Sequence, residues 1–289
     1  MIYLADSGST KCDAILMEKD GTEVLRFRSV GYNPYMHPLE RMQAGIREIP
    51  EIKQYGSQIE EVYYYGAGCS TTELKAKMAE ALKAGFPNAQ IIVDHDLMAS
   101  SYATYTGEPA ISCILGTGSN CSFFDGENIV LGNSGFGYIL GDEGSASYIG
   151  KKVLAGYAYK TMPEEAYKDF AQEYGYTKND ILTNLYEKPN PNVFLGDLAP
   201  FAKKYIHLNF FHSAVKQGFT EFLSTQVVPF PKSKEVPVHF VGSIAFHFED
   251  VLQEAIEELD LQMGQIVRRP LDGLKDYHVK YIFNNITHP

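Results

Sequence analysis

The stretch Ile2-Tyr3-Leu4-Ala5-Asp6-Ser7-Gly8-Ser9-Thr10-Lys11-Cys12-Asp13 begins as an apolar run and breaks into small residues at Ser7-Gly8-Ser9. The chain writes the same device again at Ile114-Leu115-Gly116-Thr117-Gly118-Ser119. In both places a second alternating stretch follows and then an Asp-Gly pair, Asp20-Gly21 in the first copy and Asp125-Gly126 in the second. Strand, small-residue turn, strand and hairpin turn together describe a β-meander. Without bulky side chains, the backbone N–H groups of such turns can face an anion at close range, as phosphate-binding nests do. Two of them in one chain predict two lobes that grip one polyphosphate.

Composition agrees with this and excludes other classes. A chain of 289 residues is long enough for two domains with separate cores. The reading here is a first lobe over 1–108 and a second over 109–289, with a tail free to pack back on the first. The net charge of -11 comes from 36 acidic against 25 basic residues, with no Lys/Arg block. A nucleic acid or an anionic membrane needs a basic face, so neither is expected as a partner. The N-terminal ten residues have no basic region and reach Asp6 after a few apolar positions, and no apolar run approaches the ~20 residues of a membrane span. A cytoplasmic protein is expected. Cys12, Cys69, Cys113 and Cys121 lie in or beside apolar, strand-like stretches without a C-x-x-C pair, which reads as buried, reduced thiols. The eight histidines show no ligand spacing.

The first lobe reads as three strands to about Phe27, a loop at Gly31-Tyr32-Asn33-Pro34 and a helix over 39–48. A strand over 62–65 ending in Gly66-Ala67-Gly68 precedes a helix near 73–84, and a strand over 91–93 stops at Asp94-His95-Asp96 before a helix over 97–105. The order is β-β-β-α-β-α-β-α. Its second copy starts at Ile111, with helices expected over 143–159, 164–174, 179–186 and 198–223. A strand over 238–241 ending in Gly242-Ser243, a helix over 248–259 and a short tail then close the chain.

The segment Ala5-Asp6-Ser7-Gly8-Ser9-Thr10-Lys11-Cys12-Asp13 resembles the first phosphate motif of the actin, Hsp70 and sugar-kinase superfamily, and Leu115-Gly116-Thr117-Gly118-Ser119-Asn120 resembles its second. The segment Gly135-Phe136-Gly137-Tyr138-Ile139-Leu140-Gly141-Asp142-Glu143-Gly144-Ser145-Ala146 resembles the signature of the N-acetylglucosamine kinases within the BadF/BadG/BcrA/BcrD ATPase group. The resemblance runs in order from Asp6 to about Phe246. It implies an α/β fold of two actin-like ATPase (ribonuclease H-like) lobes, with Mg·ATP and an amino sugar as ligands. The reaction it implies is phosphorylation of the sugar's 6-hydroxyl, N-acetylglucosamine being the leading substrate. Many kinases of this kind are homodimers.

Phosphoryl transfer asks the protein to align nucleophile and γ-phosphate and to neutralise charge. By the resemblance, Gly8, Ser9, Thr10 and Lys11 meet the β/γ-phosphates from one lobe and Thr117, Gly118 and Ser119 from the other. Asp6 resembles the acidic residue that holds hydrated Mg²⁺; as plain chemistry it could equally cap the turn. Asp96 is the candidate general base, by its place at a strand end and by the small-residue helix Ala99-Ser100-Ser101 after it. A helix N-cap is the alternative for this position, and Asp94 is the rival base, since strand alternation points it the same way. Asn33, Thr117, Asn120, Gly135, Phe136, Asp142, Ser145 and Ala146 are the candidate sugar contacts, and Gly242-Ser243 resembles the adenosine-contacting turn. Larger family members carry a further Gly-Gly-Ala helix that helps close the nucleotide site, and this sequence lacks it.

Two other readings stand beside the kinase. The activator ATPases of acyl-CoA dehydratases and benzoyl-CoA reductases share the fold but hold an iron–sulfur cluster through suitably placed cysteines. A sugar sensor without catalysis would keep the sugar residues and the phosphate turns.

Overall fold

The computed structural model describes residues 1–8, 11–132 and 135–284. Two compact units divide the chain. One is Met1–Glu108 together with the chain from Pro270 onward, and the other is Pro109–Arg269.

In the first unit β1 (Ile2–Ser7), β2 (Lys11–Met17), β3 (Glu23–Val30), β4 (Glu61–Gly66) and β5 (Gln90–His95) form one sheet in the order β3-β2-β1-β4-β5. The three strands of the meander are antiparallel, whereas β4 and β5 run parallel to β1. β1 therefore lies at the centre and is buried on both faces, which explains its unbroken apolar run. By its period of two, Tyr3 and Ala5 pack with Met42, Ile46, Met78 and Phe86 on one side, while Ile2 and Leu4 pack with Ala99, Leu271 and Leu274 on the other. The helix Thr72–Leu82 starts where Thr71 accepts the N–H of Leu74, an N-cap its sequence supplies.

The second unit repeats this plan. β6 (Ala110–Leu115), β7 (Ser119–Phe124), β8 (Ile129–Leu131), β9 (Pro237–Val241) and β10 (Gln262–Val267) lie in the order β10-β9-β6-β7-β8, again an antiparallel meander with two strands parallel to its first member. The hairpin turns match in detail: Asp20 Oδ1 accepts the N–H of Thr22 at 2.8 Å, and Asp125 Oδ1 accepts that of Glu127 at 2.9 Å. These are Asx turns, with Gly21 and Gly126 at φ +88° and +104°.

Two features depart from the sequence reading. β10 stands where only a tail was expected, because Gln262-Met263-Gly264-Gln265 lacks apolar alternation. Its pairing slips between Met263 and Ile266, and His239 Nδ1 accepts the N–H of Gln265 at 2.8 Å there. The helix expected over 198–223 is two helices, Ala199–Lys204 and Asn209–Phe222. The tail, read from the sequence as helix-like and free to pack back on the first lobe, is helical, with Leu271–Tyr277 running on into His278–Phe283, and belongs to the first unit. There the Tyr102 and Tyr277 rings stack at 3.9 Å between centroids, and Lys275 pairs with Glu23 at 2.7 Å.

Candidate active site

The first unit gathers its polar candidates at the carboxyl ends of β1, β4 and β5, the end where open α/β sheets bind ligands. Asp6 is the penultimate residue of β1, in register with Asp13 on β2 and Tyr65 on β4. Burial, then the charge of Asp96, then that of Asp13 push the Asp6 carboxyl up to about 7. Asp96 is the first residue of the helix Asp96–Thr104, with its carboxyl pushed up to about 6 by burial against the opposing pull of the Leu97 N–H. Asp13 is engaged by Arg28 through two bonds of 2.7 and 2.8 Å. Asp94 is committed elsewhere: Lys75 Nζ lies 2.6 Å from its Oδ1, which also accepts the N–H of His95. Of the two rival carboxylates, Asp94 is thus charge-neutralised and Asp96 is the one beside Asp6.

Gly8 and Lys11 edge the first small-residue turn; Ser9 and Thr10, its centre, lie outside the described residues. Gly31 backs the turn so closely that a Cβ there would stand 2.1 Å from the carbonyl oxygen of Gly8. Asn33 follows in the same loop. Its amide rests on Gly68, at the turn after β4, while the neighbouring Cys69 is buried and feels the Asp96 charge. Asn33, the Gly66–Cys69 turn, Asp96 and Asp6 therefore form one connected patch.

In the second unit the turn Gly116–Ser119 is built on a helix start. Ala146 and Ser147, in the first turn of the helix Ala146–Ala158, donate their N–H groups to the carbonyls of Gly116 and Thr117 at 2.9 and 3.1 Å. Ser145 is buried and caps that helix by accepting the N–H of Tyr148. Asp142, at φ +57°, accepts the N–H of Ser119 at 3.2 Å, and burial raises its carboxyl above the usual range. Gly242, at φ +123°, sits where a Cβ would be 2.3 Å from the Leu115 carbonyl, so it abuts the same turn, with Ser243 exposed beside it. Thr117, Gly118, Ser119, Asp142, Ser145, Ala146 and Gly242 are thus brought together, and Asn120 continues into β7. Gly135 and Phe136 stand out in solvent, Phe136 being 70% exposed. A separate cavity of about 480 Å³ is walled mainly by Tyr138, Ile139, Leu154, Tyr159 and Leu185. It includes neither Asn120 nor Asp142.

Sequence reasoning passed over Gly68, His37 and Gly196. Gly196 packs against Thr117 and Ala146, and His37 closes the Asn33 loop. Glycine after a strand was a usable signal for Gly68, but nothing in the sequence names its contact with Asn33.

The sequence model of the BadF/BadG/BcrA/BcrD ATPase family matches residues 5–159. A crystal structure from Porphyromonas gingivalis, provisionally assigned as an N-acetylglucosamine kinase, superposes with a TM-score of 0.91 at 37% identity, over 96% of this chain and 99% of that one. A second such protein, from Chromobacterium violaceum, gives a TM-score of 0.72 at 15% identity over 95% and 98% of the two chains. A ROK family glucokinase from Streptomyces griseus, solved with glucose and AMPPNP, gives 0.52 at 13% identity over 95% and 98%. The latter two share the fold. A match across more than half of the sequence, spanning both sheets' antiparallel meanders, makes this chain a member of the BadF/BadG/BcrA/BcrD ATPase family.

Proposed function

We propose that this carbohydrate kinase transfers the γ-phosphoryl group of ATP to the 6-hydroxyl of an amino sugar, N-acetylglucosamine, giving the sugar 6-phosphate and ADP. The observation that carries the reading is the division of labour between Asp94 and Asp96: Lys75 neutralises the first, and burial next to Asp6 tunes the second to about 6. A general base works best with a pKa near the operating pH. Asp96 accepts the hydroxyl proton as the sugar oxygen bonds to phosphorus and the bond to the ADP oxygen breaks. In the first unit Gly8, Ser9, Thr10 and Lys11 are the residues assigned to the phosphate oxygens, and Asn33 holds a sugar hydroxyl. In the second unit Thr117, Gly118 and Ser119 do the same for phosphate. There Asn120 and Asp142 take sugar hydroxyls, Gly135 and Phe136 flank the ring or its acetyl group, and Gly242-Ser243 adjoins the adenosine. Ser145 and Ala146 support the sugar side by holding the turn that carries Thr117.

Two carboxyls pushed upward, Asp96 by burial and Asp6 by burial and then by the Asp96 charge, fit a cation placed beside them. Asp6 would hold Mg²⁺ through water, and the ion when bound supplies charge neutralisation on the phosphates. The cluster-holding activator reading is disfavoured by burial, since Cys12, Cys69, Cys113 and Cys121 are each no more than 2% exposed, and a shared cluster needs thiolates at a surface.

The test is ADP release from Mg·ATP with N-acetylglucosamine, glucosamine, N-acetylmannosamine, N-acetylmuramic acid, glucose or no sugar. Turnover with N-acetylglucosamine above all others supports the proposal, and sugar-independent hydrolysis overturns it.

A further inference from the structure

Asn33 is held from three sides. Its backbone N–H donates to His37 Nδ1 at 3.1 Å, its carbonyl accepts the N–H groups of Met36 and His37 at 3.0 and 2.9 Å, and its Oδ1 accepts the N–H of Tyr35 at 2.9 Å. From the helix Thr72–Leu82, Lys77 Nζ donates to the carbonyl of the next residue, Pro34, at 2.7 Å. From the end of β4, Gly68 leaves the space that the side-chain amide fills. The link through His37 differs in kind from the others, because a ring nitrogen can accept a backbone N–H only while it carries no proton. The Tyr32 ring stands edge-on to the imidazole at 5.7 Å and fixes its plane.

We propose that His37 is a positioning residue for the sugar site: by accepting the Asn33 N–H at Nδ1 it sets the loop that aims the Asn33 amide, so that sugar affinity depends on an unprotonated acceptor at that atom. The inference rests on the kinase reading, in which Asn33 meets the sugar. His37 itself does not touch the substrate.

The surroundings bias the imidazole toward the accepting form. Burial, then Arg41 in the helix Leu39–Glu48 that follows His37, then Lys77 from the helix Thr72–Leu82 pull its titration below the ordinary range, with the Asn33 backbone contact as the opposing influence. At neutral pH the bond is therefore intact. In acid, a proton on Nδ1 would face the Asn33 N–H and convert acceptance into repulsion.

The chemistry supplies a clean pair of variants. In His37→Asn the side-chain oxygen stands at the Nδ1 position, whereas in His37→Gln it reaches toward the Nε2 position and leaves the Asn33 N–H without its acceptor. Steady-state kinetics on the whole protein with N-acetylglucosamine, in a pH series from 7.5 down through the acid range and with thermal melting as a folding control, separates them. His37→Gln should raise the sugar KM about tenfold, with kcat and the ATP KM changed by no more than about twofold. His37→Asn should keep the unaltered KM at pH 7.5 and hold it as the pH falls, whereas the KM of the unaltered protein rises once His37 takes up its proton. Equal damage from both variants, or none from either, overturns the inference. If His37→Gln fails to fold, the pH response of His37→Asn decides alone, and a rise matching that of the unaltered protein refutes the inference. Absence of sugar turnover in the unaltered protein defeats the kinase reading and this inference with it, whereas turnover indifferent to His37 defeats this inference only.

Discussion

Gly68 and Asn33 occupy space that only a residue without a side chain can leave free: a Cβ on Gly68 would stand 2.0 Å from Asn33 Oδ1, and Gly68 holds φ at +80°. Gly68→Ala should therefore displace the Asn33 amide as well as strain the turn. Under the proposed function the sugar KM rises by about tenfold or more while the ATP KM stays near its original value. Steady-state kinetics in both substrates checks this, and an unchanged sugar KM in a folded variant would detach Asn33 from the sugar.

Asp96→Asn keeps the size of the side chain and removes its basicity. Turnover should fall by roughly 10²–10⁴ while nucleotide binding, followed by calorimetry, persists. Asp94→Asn should cost far less in kcat, because that carboxylate serves Lys75. Equal losses would reverse the assignment.

The proton inventory of Asp96 fixes a direction for the pH profile. A base whose free-enzyme carboxyl titrates at about 6 is active above that pH and loses activity as pH falls through it. The acid limb of kcat/KM should accordingly lie well above the ordinary carboxylate range, and a limb near pH 4 would contradict the burial of this group.

His278 makes a separate prediction about stability. It is fully buried, its Nε2 shares a hydrogen bond with Tyr65 Oη at 2.8 Å, and burial lowers its titration to about 3 from the ordinary 6.5. Between those two values the unfolded chain binds a proton that the folded one does not. The His278 contribution is therefore complete above pH 6.5 and is lost progressively as pH falls toward 3, at about 1.4 kcal/mol per pH unit for a single proton. Denaturant melts across this range should show the slope, and His278→Leu should flatten it even if it lowers the plateau.

Gly242→Ala tests the second turn. With φ at +123° and the Leu115 carbonyl 2.3 Å from where the new carbon would go, the backbone must shift, at a cost of about 1–3 kcal/mol in melting experiments. The shift bears on Gly116 and Thr117, so the ATP KM should rise more than the sugar KM. The reverse order would argue against a nucleotide role for this turn.

The meander of each unit was legible because its signals are local. Apolar runs, small-residue turns and Asp-Gly pairs act over fewer than ten residues, and Asp20 and Asp125 fold their turns with their own carboxylates. The ends of β4 and β9 were legible for a related reason, since Gly66-Ala67-Gly68 and Gly242-Ser243 interrupt apolar runs. β10 was not, because its strand character comes from pairing with β9 and from the His239 side chain that accommodates its bulge. Placement of the Asp96 and Asn33 side chains was half legible. Position at a strand end and in a loop could be read, but the neutralisation of Asp94 by Lys75 depends on a helix that sequence spacing does not orient.

The tail helix carries a consequence for biosynthesis. Ile2, Leu4, Ile15 and Met17 are covered on one side of their sheet by Leu271 and Leu274, residues translated more than two hundred and fifty positions later. The Pro109–Arg269 unit is a continuous stretch that a ribosome delivers whole, whereas the unit that is made first is the one completed last. Until Leu271 and Leu274 emerge, the nascent chain displays an apolar sheet face, the kind of surface that chaperones hold and that aggregates when unattended.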